Sequence, residues 1–181
     1  QSLAQFSDVY EQVITINGVS KAFAMTGWRI GYIGAPAWIA QACTKMQGQI
    51  TSGTCGIAQR AAIAAVLASP TVTSEMKEAF HKRRDLVLTM LGEIEGVKIN
   101  LPEGAFYVFP DISSFFGKSD GTVTVNSADD LTMYILEKAN VALVTGAAFG
   151  APNCIRISYA ASEKNLMEAM NRIRKVLDEL K

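Results

Sequence analysis

Asn17-Gly18-Val19-Ser20-Lys21-Ala22-Phe23-Ala24-Met25-Thr26-Gly27-Trp28-Arg29-Ile30-Gly31-Tyr32 is the stretch on which the reading of this chain turns. A β-branched run, Val13 to Ile16, delivers the chain into it. Glycine opens the turn, a serine–lysine pair follows, and Arg29 comes later between Gly27 and Gly31. Those two glycines let backbone pass close to a ligand.

Sixteen residues in this order resemble the cofactor-lysine segment of the class I and II aminotransferases. These are fold-type I enzymes that use pyridoxal 5'-phosphate. The match is to the aspartate aminotransferase-like subgroup and its signature S-K-A-F-x-M-T-G-W-R-x-G-Y. The resemblance implies that Lys21 carries the cofactor as a Schiff base and that Arg29 holds its phosphate. The residue types suit those tasks. Lysine offers the primary amine that condenses with a carbonyl and can later move the substrate's α-proton. Arginine offers a planar, permanently charged donor for phosphate. Many relatives have Ser-x-Ser-Lys, but the first of those positions is Gly18 here. Phosphate binding is then expected to rest on Arg29 and groups upstream of this fragment, with Ser20 a weaker cofactor neighbour.

Composition narrows the remaining possibilities. The 181 residues are about half hydrophobic, with zero formal net charge. That is a globular composition with a core, and it leaves no electrostatic footprint for nucleic acid or an anionic membrane. No apolar run is long enough to span a bilayer. Cys43, Cys55 and Cys154 are odd in number and widely spaced. They read as buried, reduced thiols of a cytoplasmic protein, not a disulfide frame or a metal site. His81 is the only histidine, which excludes histidine triads and multi-histidine metal centres.

In the family the cofactor lysine sits past the middle of a chain about twice this long. The resemblance therefore implies a C-terminal fragment, expected to be inactive alone, of a parent that works as a homodimer on amino acids and 2-oxo acids. The family also places an Asp-x-x-Tyr pair far upstream of the lysine. Asp8 and Tyr10 have the wrong spacing for that pair and read as surface or turn residues.

Along the chain, Val13 to Ile16 reads as a buried strand of a parallel sheet and Arg29 to Gly34 as another. Pro36 marks the start of a helix over 37–46. Residues 47–56 form a polar loop, either an ordinary connection or, as the family has it, a reach toward the partner subunit's active site. Residues 57–68 and 72–94 predict helices, the second with an apolar rhythm of Met76, Phe80, Val87, Met90 and Ile94. The basic run His81 to Arg84 reads as its solvated face. Two strands, 97–101 and 105–109, flank Pro102-Glu103-Gly104 and suggest a hairpin. Gly104-Ala105-Phe106-Tyr107 resembles the family's G-x-F-Y segment at the substrate entrance, with a core aromatic strand as the alternative. Ser127-Ala128-Asp129-Asp130 opens a helix to Ala139 like a capping box. A strand covers 141–144. Thr145-Gly146 stands where relatives commonly have Pro-Gly. Residues 154–159 alternate as a strand, with Ile155, Ile157 and Tyr159 on one face and Arg156 on the other. An arginine in so apolar a strand must meet an anion or water. The resemblance implies that Arg156 grips the substrate's α-carboxylate; a structural arginine paired to a carboxylate is the alternative. Ser162 caps a last helix with the stripe Leu166, Met170, Ile173, Leu177 and Leu180.

The expected architecture is α/β: the C-terminal part of a large cofactor-binding domain over 1–69, then a small α+β domain over 70–181. The expected activity is amino-group transfer dependent on pyridoxal 5'-phosphate, with Lys21, Arg29, Ser20 and Arg156 as site residues and no metal. Another reaction on the same scaffold, a β-lyase or decarboxylase, stays open, as does a non-catalytic dimerisation module.

Overall fold

The computed structural model describes residues 2–181. It resolves into two compact units, the first running to Ser74 and the second Glu75–Lys181.

In the first unit, strand β1 (Thr15–Gly18) pairs with β2 (Gly31–Gly34) in antiparallel register, Thr15 opposite Gly34 and Gly18 opposite Gly31. The expected parallel sheet is not what this pair forms. The chain returns through residues 19–30 without a crossover helix, and only antiparallel neighbours can be joined that way. The strand is also shifted and exposed, with Ile16 79% accessible. The closing end is tight. A Cβ on Gly18 would lie 3.3 Å from the Ile30 carbonyl oxygen, and the Gly18 N–H donates to Asn17 Oδ1 at 2.8 Å.

Helix α1 (Ala37–Ile50) starts after Pro36 and α2 (Gly56–Leu67) follows. α1 continues past Met46 because the Thr51 N–H still finds the Gln47 carbonyl at 3.0 Å, and the Gln47 and Thr51 side chains bond to each other. The expected polar loop shrinks to residues 51–55. Val19, Met25 and Ile30 from the long loop bury against Ala58 and Ala62 of α2. Alanines leave room for the loop to lie close to the helix. Upstream, Asp8 and Tyr10 sit exposed in a 3-10 turn, Ser7–Gln12.

The second unit has a larger core. Helix α3 (Ser74–Gly92) follows a 3-10 turn at Pro70–Thr73 and buries Val87 and Leu91. The sheet has order β3-β5-β4, all antiparallel, from β3 (Tyr107–Val108), β4 (Val144–Thr145) and β5 (Ile155–Ser158). The expected hairpin is reduced to one bridge, Lys98 with Asp111. Tyr107 and Val108 instead pair with Ser158 and Ile157, which buries Val108 in the core. Nor is the basic run of α3 wholly solvated. Arg83 lies over the Phe80 ring at 5.4 Å, and Arg84 reaches the Pro102 carbonyl and Asp85. Long arginine stems cover apolar surface while keeping their charge near water.

Helix α4 (Ala128–Ala139) opens with a reciprocal cap: Ser127 Oγ accepts from the Asp130 N–H, and Asp130 Oδ2 accepts from the Asn126 N–H. It ends at Asn140 in left-handed conformation, φ 53°. Helix α5 (Glu163–Leu177) is capped by Ser162 and buries Leu166, Met170, Ile173 and Leu177; Leu180 beyond it is buried too. The loop before α4 is gathered on Asp120, which accepts from the Thr122 and Val123 N–H groups and from Thr122 Oγ1. Lys138 Nζ stands 3.2 Å away. These donors, Thr122 first, hold the Asp120 carboxyl well below the usual carboxylate range. Burial and the neighbouring Asp120 push the Tyr134 phenol up to about 12.

The cysteine expectation is corrected: Cys43 and Cys55 are exposed and Cys154 is half-buried, all three free. Among the described residues no helix is long and apolar enough to cross a membrane.

Candidate cofactor and substrate sites

Ser20, Lys21 and Arg29 all ride on the loop between β1 and β2. Buried Val19 and Met25 fasten the chain on either side of the lysine, and the Ala24 N–H donates to the Lys21 carbonyl at 3.2 Å. Ser20 is half-buried and Lys21 exposed. Lys21 is thus presented outward by a segment pinned at both ends.

Arg29 adopts φ 54°, a left-handed conformation at a residue with a Cβ. It ends the 3-10 turn Thr26–Trp28 and turns the chain into β2. The conformation costs on the order of 1 kcal/mol and persists because Ile30 is anchored in the core. Arg29 Nη1 donates to the Thr26 carbonyl at 2.8 Å, and its side chain is otherwise open.

Arg29, Gly27 and Trp28 face Gln47 and Thr51 of α1's end and Thr54 and Cys55 of α2's start across a concavity of about 870 Å³. Lys21 is not among its lining residues. A guanidinium and two threonine hydroxyls form a donor set that suits a phosphate. In the sequence Thr54 and Cys55 stood only within the polar loop 47–56, and Cys55 as an expected buried thiol; neither was singled out for the phosphate. N–H groups of Ala58 and Ile57 at that start draw the Cys55 thiol below its ordinary value, whereas burial, then Asp111, raises Cys154.

The second unit holds Arg156. Its neighbours Ile155 and Ile157 are buried, so strand alternation sends Arg156 to the other face, where it is half-buried. The guanidinium carbon lies 4.4 Å from the centroid of Tyr107 and 4.4 Å from that of Phe149. No ion pair of Arg156 occurs among the described residues. Phe149 ends the 3-10 turn Gly146–Phe149 and meets Phe109 edge-on at 6.0 Å. Thr145 caps that turn, its Oγ1 accepting from the Ala147 N–H at 3.3 Å. Gly146 is required there: a Cβ would run into the carbonyls of Ala151 and Cys154. Sequence reasoning placed Tyr107 in a candidate entrance segment but did not single out Phe149, because nothing local links a loop phenylalanine to an arginine on another strand.

The family model for aminotransferase class I and II matches residues 1–173. The chain belongs to the class I and II aminotransferases. It is 48% identical to the bifunctional aspartate aminotransferase and glutamate/aspartate-prephenate aminotransferase of Petunia hybrida, over 99% of this chain and 38% of that protein. It is 46% identical to the aspartate aminotransferase of Pinus pinaster, over 97% of this chain and 37% of the relative. The crystal structure of the Rhizobium meliloti aspartate aminotransferase superposes with a TM-score of 0.95 at 41% identity, covering 99% of this chain and 46% of that one. The chain therefore spans less than half the length of these relatives. The α/β fold is that of the corresponding part of an aminotransferase, a family dependent on pyridoxal 5'-phosphate.

Proposed function

We propose that the full-length protein transfers an amino group between a dicarboxylic amino acid and a 2-oxo acid, using pyridoxal 5'-phosphate. The observation that carries this reading is Arg156. Its guanidinium is held on a strand by aromatic faces, with no carboxylate partner among the described residues. A buried structural arginine would spend its donors on an internal anion; this one keeps them for a substrate carboxylate, which a planar guanidinium holds through two parallel bonds. The names of the Petunia and pine relatives, both aspartate aminotransferases, favour a dicarboxylic donor.

The residues present suit the cofactor. Arg29 and the hydroxyls beside it would hold the phosphate, with Ser20 a neighbour of the lysine. Bound pyridoxal 5'-phosphate supplies the electron sink that lets an amino acid lose its α-proton. Lys21 Nζ would hold the cofactor and is the group that would take and return that proton. Arg156 fixes the carboxylate and so the direction of the Cα–H bond. Residues 1–69 contribute to a large cofactor-binding domain and 70–181 form the small domain. A cytoplasmic homodimer is the assembly we propose.

The test is the purified full-length protein with pyridoxal 5'-phosphate, a panel of amino acids and labelled 2-oxoglutarate. Amino transfer with aspartate preferred is expected. Release of ammonia or carbon dioxide without a new amino acid would contradict the reading.

A further inference from the structure

A cation can be fixed inside a protein in two ways that differ in what they leave behind. A carboxylate partner consumes the guanidinium's N–H donors, whereas an aromatic face attracts the charge and leaves most donors unspent. Arg156 is held in the second way, over Tyr107 and Phe149 at 4.4 Å each. Each ring has its own fastening. Tyr107 lies in β3, paired opposite Ser158 on the strand that bears Arg156. Its ring also meets Phe106 at 4.4 Å. Phe149 closes a 3-10 turn that Thr145 caps and only glycine at 146 permits, and Phe109 meets its edge. Phe149 is nonetheless half exposed, at 50%.

We infer that Tyr107 and Phe149 are positioning residues that hold the Arg156 guanidinium ready for a carboxylate, so that substrate binding does not have to order it. The inference rests on the carboxylate role proposed for Arg156. A long arginine side chain loses rotamer freedom when it grips a ligand, and a guanidinium already fixed loses less. The rings act on any carboxylate-bearing substrate alike.

The experiment uses the full-length holoenzyme with Phe149→Leu, Tyr107→Leu, the ring-retaining Tyr107→Phe, Arg156→Leu and the double variant Phe149→Leu/Arg156→Leu. We expect Phe149→Leu and Tyr107→Leu each to lower kcat/KM for aspartate and for its oxo-acid counterpart by about tenfold, the scale of a cation–π contact. Most of the loss should appear in KM, with pyridoxal 5'-phosphate affinity unchanged and Tyr107→Phe close to wild type. In the Arg156→Leu background, adding Phe149→Leu should change nothing further. A loss in that background as large as in wild type would overturn the positioning role, because the ring would then act independently of the arginine. Unchanged kinetics in Arg156→Leu would overturn the carboxylate reading instead. A direct readout separates the two: the Arg156 Nε–H resonance should be displaced by ring currents in wild type and relax in Phe149→Leu. An Nε–H signal identical in both would contradict the positioning inference whatever the kinetics.

Discussion

The two units treat their apolar side chains differently. In the first, the buried hydrophobics among the described residues are Val19, Met25, Ile30, Ala58 and Ala62, while Ile57, Leu67 and Ile50 stand 76%, 79% and 71% exposed. In the second, a continuous core runs from Val87 on α3 through Ile135 on α4 to Leu180. Hydrophobic burial is the dominant favourable term in folding, and within these 181 residues most of it lies in the second unit. The proposed cofactor residues ride on the first unit and the proposed carboxylate residue on the second.

The contrast can be broken most sharply by truncation. Leu131→Ala, at a side chain with no exposure, should cost about 2–5 kcal/mol. Ile57→Ala should stay within about 0.5 kcal/mol. Urea unfolding of the 181-residue chain measures both, and equal losses would erase the distinction.

A crossover of the two arginines sharpens the functional half. In the full-length protein, Arg156→Lys should weaken amino-acid and oxo-acid substrates alike by about 2–5 kcal/mol, the range for truncating a buried charge pair, and leave cofactor affinity intact. Arg29→Lys should do the reverse. Titration with pyridoxal 5'-phosphate beside kcat/KM for both half-reactions checks the pair.

Gly146→Ala is expected to cost about 1–3 kcal/mol, as overpacking does, because its Cβ would meet the Ala151 and Cys154 carbonyls. The same substitution at Gly27, where a Cβ meets nothing within 4 Å, should be mild; thermal melts compare the two.

The smallest effect is acid sensitivity. Asp120 has its folded pKa lowered by the Thr122 and Val123 donors and by Lys138. A lowered carboxyl stabilises the fold above its unfolded value, about 4, and that contribution is lost as pH falls through the folded value. Stability of the second unit should therefore drop below about pH 4, and Asp120→Asn should flatten the drop. An unchanged slope would remove Asp120 from the account.

Local chemistry made much of the fold legible. The caps at Ser127 and Ser162, the stripe of α5 and the alternation around Arg156 each depend on neighbours within a few residues, and each was readable. What escaped depends on distant partners. Val13 to Ile16 announces a strand, yet nothing in it says that its neighbour is Gly31–Gly34 running the other way. Tyr107 and Val108 left their expected hairpin for β5 because Ile157 offers them a core. Cysteine type suggested burial, but Cys43 lies on a helix that buries none of its residues. At the candidate sites, the lysine and both arginines were nominated by sequence motifs. The ring pair over Arg156 and the Thr54–Cys55 wall of the concavity were not, since they arise only when separate segments meet.

The most direct measurement concerns Lys21. Full-length protein loaded with pyridoxal 5'-phosphate is reduced with borohydride, digested and mapped by mass. A single pyridoxyl label on Lys21, absent from Lys21→Ala, is the predicted result. A label on another lysine, or none, would contradict the account.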